Sequence, residues 1–192
     1  MVVQAGSLGL RRPSYTVDLD AIGSPELAEL IDALHAGLAS VPGVGLAAPQ
    51  IGVPLRVVLV QDPPEFHTRI TDTRRDELER EVIEPYVLIN PEIEAVGSER
   101  RTFFEGCLSV DGYCALVTRA RTVRCQWLDP DGKAHEAVRS GWHARILQHE
   151  IDHLNGVLYV DRMYSRSFMT NTNHVEWVGR SIEEIREAFG IL

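Results

Sequence analysis

The chain has 192 residues, 44% of them hydrophobic, a formal net charge of −9 and three cysteines. That length supports one well-buried core, so a single domain over residues 1–192 is expected. The acidic balance argues against general nucleic-acid binding, the odd cysteine count against a disulfide framework, and the lack of a run of about 20 apolar residues against a membrane span.

Residues 2–20 are polar, read as extended, and lack the apolar core of a secretory signal, which points to an intracellular protein. Ser24-Pro25-Glu26 then supplies an N-cap, a first-turn proline and a dipole-matching acid. A helix is expected to about Ala39, with Leu27, Leu30, Ile31, Leu34 and Leu38 forming a core-packing face without chemistry of its own. Residues 42–52 set three glycines and two prolines among small apolar residues, suited to close backbone approach, and Gln50 is the lone polar side chain there. Residues 56–60 read as a β-branched strand and 86–90 as another that stops before Pro91. Between them, residues 62–85 are charged and proline-punctuated, a surface insertion by expectation, with part of 71–84 helical.

Further strands are expected within 93–104, around Gly97-Ser98, leading to Glu105-Gly106-Cys107-Leu108-Ser109. Val123, Cys125 and Trp127 alternate with Thr122, Arg124 and Gln126, the pattern of a half-buried strand in which Cys125 is a core thiol. Asp129-Pro130-Asp131-Gly132 turns the chain back through 133–139 as a hairpin partner. Ser140 should cap the next helix, where Ala144, Leu147, Ile151 and Leu154 form one stripe and Trp142, Ile146, His149 and His153 a neighbouring one. With most of its circumference uncharged, that helix should be buried. Asn155-Gly156 ends it, residues 157–160 read as a short strand, and 165–192 as a C-terminal tail whose short helix opens on the capping box Ser181-Ile182-Glu183-Glu184.

The chemistry starts at His149-Glu150-Ile151-Asp152-His153. In this H-E-x-x-H spacing the two imidazoles lie roughly 40° apart on one helix face and can share a metal ion, while Glu150 can reach a water held there. A third ligand decides the class. Gly156 matches the glycine of the longer metzincin pattern, but Tyr159 stands where its final histidine belongs. Glu176, Glu183 and Glu184 are nominal third ligands, the last two more simply explained by capping; Cys107, behind a glycine and before turn-forming residues, is the other.

Glu105-Gly106-Cys107-Leu108-Ser109, Gly45-Leu46-Ala47-Ala48-Pro49-Gln50 and the histidine motif together resemble the signature blocks of the peptide deformylases, in order, with similarity over roughly residues 3–166. The resemblance implies an α+β fold, antiparallel β-sheets around a central helix that bears the two histidines. It implies metal binding by Cys107, His149 and His153, general acid/base work by Glu150, oxyanion stabilisation by Gln50 and the Leu108 backbone N–H, and a substrate cleft lined by Val44, Gly45 and Gly106. It further implies one divalent metal ion, physiologically Fe2+, with Zn2+, Ni2+ or Co2+ able to take its place. The implied substrates are N-formylmethionyl nascent polypeptides, met close to the ribosome without nucleic-acid binding, in a bacterial cytoplasm or an organelle.

Ser140-Gly141-Trp142-His143-Ala144-Arg145 and residues 161–168 look like the type 1 branch related to organellar deformylases, its 1A group. Position 114 is a cysteine where many bacterial members carry a peptide-binding arginine, which puts peptide contacts near the cleft in question. Arg119 is read as a partner of Glu105 that steadies the Cys107 loop. Two other classes remain in view, a metalloendopeptidase, which has no need of Cys107, and a metal-stapled binding module, which needs neither Glu150 nor Gln50.

Overall fold

The computed structural model describes residues 1–68 and 70–191. Among them, helix α1 (Pro25–Ala39) precedes strands β1 (Gly45–Ala47) and β2 (Val57–Asp62), and two short helices follow, α2 (Pro64–His67) and α3 (Asp72–Leu78). Strands β3 (Ile83–Ala95), β4 (Arg100–Cys107), β5 (Val110–Ala120), β6 (Thr122–Leu128) and β7 (Ala134–Ser140) lead into α4 (Gly141–Leu154). The chain ends with β8 (Met169–Thr170), α5 (Asn171–His174) and α6 (Ile182–Phe189). Two antiparallel sheets result, one in the order β1-β2-β3-β6-β7 and the other β4-β5-β8.

Strands β1 and β2 and the middle of β3 are buried on both faces because α1 covers one and α4 the other. Val57 and Leu59 pack with Leu27, Leu30, Leu34 and Leu38 of α1. Val58 and Val60 point the opposite way, into the cluster of Ala144, Leu147, Ile151 and Leu154 of α4. Strand periodicity thus divides one continuous apolar run between two cores. Helix α4 also contacts β5 of the smaller sheet, so it lies between the two, the α+β arrangement expected from the resemblance. Leu147, 1% exposed in this layer, is expected to cost about 2–5 kcal/mol on truncation to alanine. No helix among the described residues is long and apolar enough to cross a membrane.

Three local expectations are corrected. The strand expected to stop at residue 90 runs on to Ala95. Asn90 has φ 51° and its side chain both accepts from the Val17 N–H and donates to the Val17 carbonyl. The register against β6 shifts between Ile89 and Glu92, so Pro91 sits in a bulge, where its missing N–H is tolerated. Residues 157–160 form no strand; Tyr159–Asp161 is a 3-10 turn, closed by the Asp161 carboxylate, which accepts from the Leu158 N–H at 2.8 Å. Ser140 precedes α4 without capping it through its side chain, because its hydroxyl pairs with that of Thr122 at 2.9 Å. Gly141 makes that entry possible, with φ 60° and no room for a Cβ, which would stand 2.8 Å from the Glu79 carbonyl oxygen.

Within residues 62–85, α2 and α3 carry mostly exposed side chains, whereas Asp62 is fully buried and gripped by the Arg80 guanidinium at 2.6 and 2.8 Å. The C-terminal segment returns to the smaller sheet, where β8 pairs Thr170 with Tyr113 and Met169 with Cys114. Helix α6 begins at the expected capping box, with reciprocal bonds between Ser181 and Glu184.

Candidate metal centre and cleft

Three separate elements converge on one face of α4. The helix presents His149 and His153 one turn apart, their ring centroids 5.0 Å from each other. Cys107 comes from the end of β4, where the pairing with β5 shifts between Gly106 and Cys107 and Leu108-Ser109 turn the chain back to Val110. A bulge of this kind re-aims a side chain. Here the Cys107 Sγ comes within 3.3 Å of His153 Nε2. One donor atom from each of Cys107, His149 and His153 lies within 4.8 Å of the others.

Gln50 enters from a 3-10 turn, Ala48–Ile51, directly after β1. It is 1% exposed, its Oε1 accepts from the Ala47 N–H at 2.8 Å, and its Nε2 points to Ser109 Oγ at 3.2 Å and Cys107 Sγ at 3.6 Å. The buried amide is therefore tethered by its oxygen and presents its donors to the thiol side of the site. The Ser109 N–H also points at Cys107 Sγ, at 3.4 Å. Gly45 explains itself here, because a Cβ at that position would land on the Glu150 carboxylate.

Glu150 is 4% exposed, and among the described residues its Oε2 has no hydrogen-bond partner; His153 Nδ1 is likewise buried and unpartnered there. Burial lifts the Glu150 carboxyl to about 7, against the pull of the His149 and Arg119 charges. Burial also pushes His153 well below the usual imidazole range, toward the neutral, ligating form. An unpartnered buried carboxylate oxygen beside two imidazoles and a thiol is a donor set that fits one divalent ion.

The orientation of His149 is set from behind. Its Nδ1 lies 3.0 Å from Glu105 Oε2, which assigns the proton to Nδ1 and leaves Nε2 as a ligand atom. Burial works against a charged His149, but the Cys107 and Glu105 contacts outweigh it and raise its pKa. Glu105 is in turn gripped by Arg119 through Nε at 2.7 Å and Nη2 at 2.9 Å, and by Arg145 Nη1 at 2.5 Å. Burial alone would raise the Glu105 carboxyl; the Arg119 and His149 bonds reverse that and hold it far below the usual carboxylate range. Arg119 continues to Asp152 at 2.7 Å, and Arg162 closes the chain with two bonds of 2.7 Å to the same carboxylate.

Cys107 and His149 open onto a cleft of about 540 Å³ that Val44, Gly45 and Gly106 line, with His153 buried behind them. Phe66, Ile70, Arg80 and Trp142 contribute further wall, with the Arg80 guanidinium 5.4 Å from the Trp142 ring centre. At position 114 the thiol is 4% exposed, paired across the sheet to Gly106, and burial raises it to about 11. Its neighbour Tyr113 lines the cleft instead, stacked on Phe168 at 5.0 Å. Tyr159, in place of a metzincin histidine, is buried with its ring 6.4 Å from that of His149. Glu184 is committed to its helix cap.

Sequence reasoning anticipated the Arg119–Glu105 pair but missed Arg145, Asp152, Ser109 and the aromatic wall. A signal was available for two of them. Arg145 and Asp152 flank His149 on a helix otherwise rich in buried positions, and a charge there must find a partner.

An open three-donor set with an adjacent buried acid and a tethered amide is the arrangement of a metal-dependent hydrolase. The model of the polypeptide deformylase family matches residues 1–168. The chloroplastic peptide deformylase 1A of Solanum lycopersicum is 44% identical over 175 residues, 90% of this chain and 62% of that protein. Peptide deformylase 3 of Streptomyces avermitilis is 45% identical over 171 residues, 88% of this chain and 74% of that one. Among solved structures, a class I type b peptide deformylase from Acinetobacter baumannii with Met-Ala-Ser bound superposes with a TM-score of 0.75 at 36% identity, covering 85% of this chain and 97% of that one. The chain belongs to the polypeptide deformylase family, whose members remove the N-formyl group from N-terminal formylmethionine in a metal-dependent hydrolysis.

Proposed function

We infer that this chain hydrolyses the N-formyl amide of formylmethionine at the start of newly made polypeptides, releasing formate and a free amine. The observation that carries this reading is the convergence of Cys107, His149 and His153 with the buried Glu150 and Gln50 on one cleft. Met-Ala-Ser in the Acinetobacter structure supports a methionyl peptide as occupant.

Cys107, His149 and His153 are the residues proposed to hold the ion, which when bound supplies Lewis acidity and an acidified water. Glu150 takes a proton as water adds to the formyl carbon and returns it to the departing nitrogen as the C–N bond breaks. Burial raises this carboxyl and so favours its taking up the proton. The Gln50 Nε2 and the Leu108 backbone N–H donate to the developing oxyanion, each typically worth about 3–4 kcal/mol in such sites. Val44, Gly45 and Gly106 hold the peptide within reach, and Gly45 leaves the space that Glu150 occupies.

A thiolate is softer and more electron-donating than the carboxylate of many zinc peptidases, which favours Fe2+ as the ion in the cell, with Zn2+, Ni2+ or Co2+ able to replace it. Oxidation of Cys107 then abolishes activity. The substrate suits a bacterial cytoplasm close to the ribosome. Formate release from a formyl-Met peptide by anaerobically purified protein, with metal measured in the same sample, tests the reading. Metal-loaded protein that cleaves internal peptide bonds and releases no formate would overturn it in favour of an endopeptidase.

A further inference from the structure

The cleft does not end at the metal donors. It shares Val41, Leu108 and Asp111 with a second groove of about 1120 Å³ that follows α1. Leu30, Ile51, Val53 and Leu55 make an apolar lining, and Ala33 and Ala36 keep the helix side low. Among the described residues, the charged side chains lining the groove are all acidic: Glu26, Glu29 and Asp111. The N-terminal segment forms another wall and is fastened to the loops that bear the site. Val3 N–H donates to the Gln50 carbonyl at 2.8 Å, Ala5 N–H to the Ser109 carbonyl at 2.7 Å, and Gln4 Nε2 to the Leu108 carbonyl at 2.8 Å. The shared saddle and the groove wall are thus braced against the same turns that carry Gln50 and Cys107.

We propose that this groove binds the part of the substrate chain downstream of the residues in the cleft, favouring apolar side chains along its floor and lysine or arginine opposite Glu26 and Glu29. The inference rests on the deformylase reading of the cleft and adds to it. From Ser40 to Glu26 the bordering helix spans roughly 21 Å, room for about six extended residues. The two acids lie at the helix end remote from the saddle, so the charge preference falls on the far residues of that stretch, not on those beside the formylmethionine.

The test compares a formyl-Met tripeptide, which ends in the cleft, with formyl-Met decapeptides carrying lysine or glutamate at positions 7–9. For the wild-type protein, kcat/KM is expected to be on the order of five-fold higher for the lysine decapeptide than for the tripeptide, and the gain is expected to fall with added salt. Ala33→Trp, which fills the groove at an exposed helix position, and the double variant Glu26→Lys/Glu29→Lys should erase the gain, the second reversing it in favour of the glutamate decapeptide. Both should process the tripeptide at the wild-type rate, with unchanged melting temperatures. Equal kcat/KM for all three peptides in the wild type overturns the proposal. So does a wild-type dimer that Ala33→Trp makes monomeric without altering the length dependence, which would assign the groove to a second copy. Failure on the tripeptide itself would instead refute the deformylase reading.

Discussion

Replacing Arg119 by alanine is the sharpest test of how the metal centre is held. Arg119 is 5% exposed and makes three charge-assisted bonds, two to Glu105 and one to Asp152, both of which are also buried. Its loss leaves Glu105 with Arg145 as its remaining guanidinium partner, and Asp152 with Arg162. Removing one partner of a buried ion pair typically costs about 3–5 kcal/mol because the other charge stays desolvated. The two remaining arginines soften that, so roughly 2–4 kcal/mol of folding stability is expected. The site should suffer as well. A Glu105 carboxylate free to rotate no longer fixes the proton on His149 Nδ1, and such losses behind a metal ligand commonly reduce affinity or turnover about 10- to 100-fold. Denaturant titration, chelator competition and formate release measure the three effects. Arg124→Ala, which removes an exposed pair to Glu94, is the control and should shift stability by less than about 1 kcal/mol. Wild-type metal affinity and turnover in a folded Arg119→Ala protein would refute the assignment.

Other outcomes follow from the same geometry. Cys107→Ala should lose its metal on dialysis, whereas a peptidase-type site with an acidic third ligand would retain it. Glu150→Ala should keep the metal and lose about 10²–10⁴ in kcat, read by metal analysis beside formate release; unchanged turnover would remove Glu150 from the mechanism. Gly45→Ala should displace the Glu150 carboxylate and lower kcat with little loss of metal, so a fully active variant would show that the two do not need to touch. His143 titrates at about 4 in the folded protein, lowered first by burial and then by the Arg139 charge, against 6.5 unperturbed. Between those values the unfolded chain binds the extra proton, so stability rises with pH there and is lost as pH falls from 6.5 through 4. The shift is worth roughly 1–3 kcal/mol after discount for partial exposure, and His143→Gln should flatten the denaturation midpoint between pH 7 and 4.5 by that amount.

What could be read from the sequence follows the range of the interactions. Helix α1, the turn of the β6–β7 hairpin, the capping box at Ser181 and the pairing of His149 with His153 all rest on contacts within a few residues, and periodicity or spacing reports those directly. Residues 157–160 misled because Val157, Leu158, Tyr159 and Val160 have strand propensity, while the decision belonged to the Asp161 carboxylate at the Leu158 N–H. Cys107 stood out only by its flanking residues, and its role came from the resemblance, because its approach to His153, 46 residues away, depends on a bulge in the pairing of β4 with β5.

The support behind the ligands was the hardest part to read, for a reason that also explains its construction. A helix that must bury two histidines and a glutamate cannot surround them with apolar groups alone, since His149 needs an acceptor on Nδ1 to keep Nε2 free. The acceptor, Glu105, is then a buried anion and requires cations, one from β5 and one from α4 itself. Arg119 brings its own need for a second acid, met by Asp152, which Arg162 balances from solvent. Each charge is explicable only by the next, and the residues come from four parts of the chain, so no local pattern marks them. The Cys107 turn and the histidine helix are held in register by this chain of charges as much as by the apolar core. Glu105 and Cys107, two residues apart on one strand, thereby place a metal donor and the orienter of a second donor on the same rigid element.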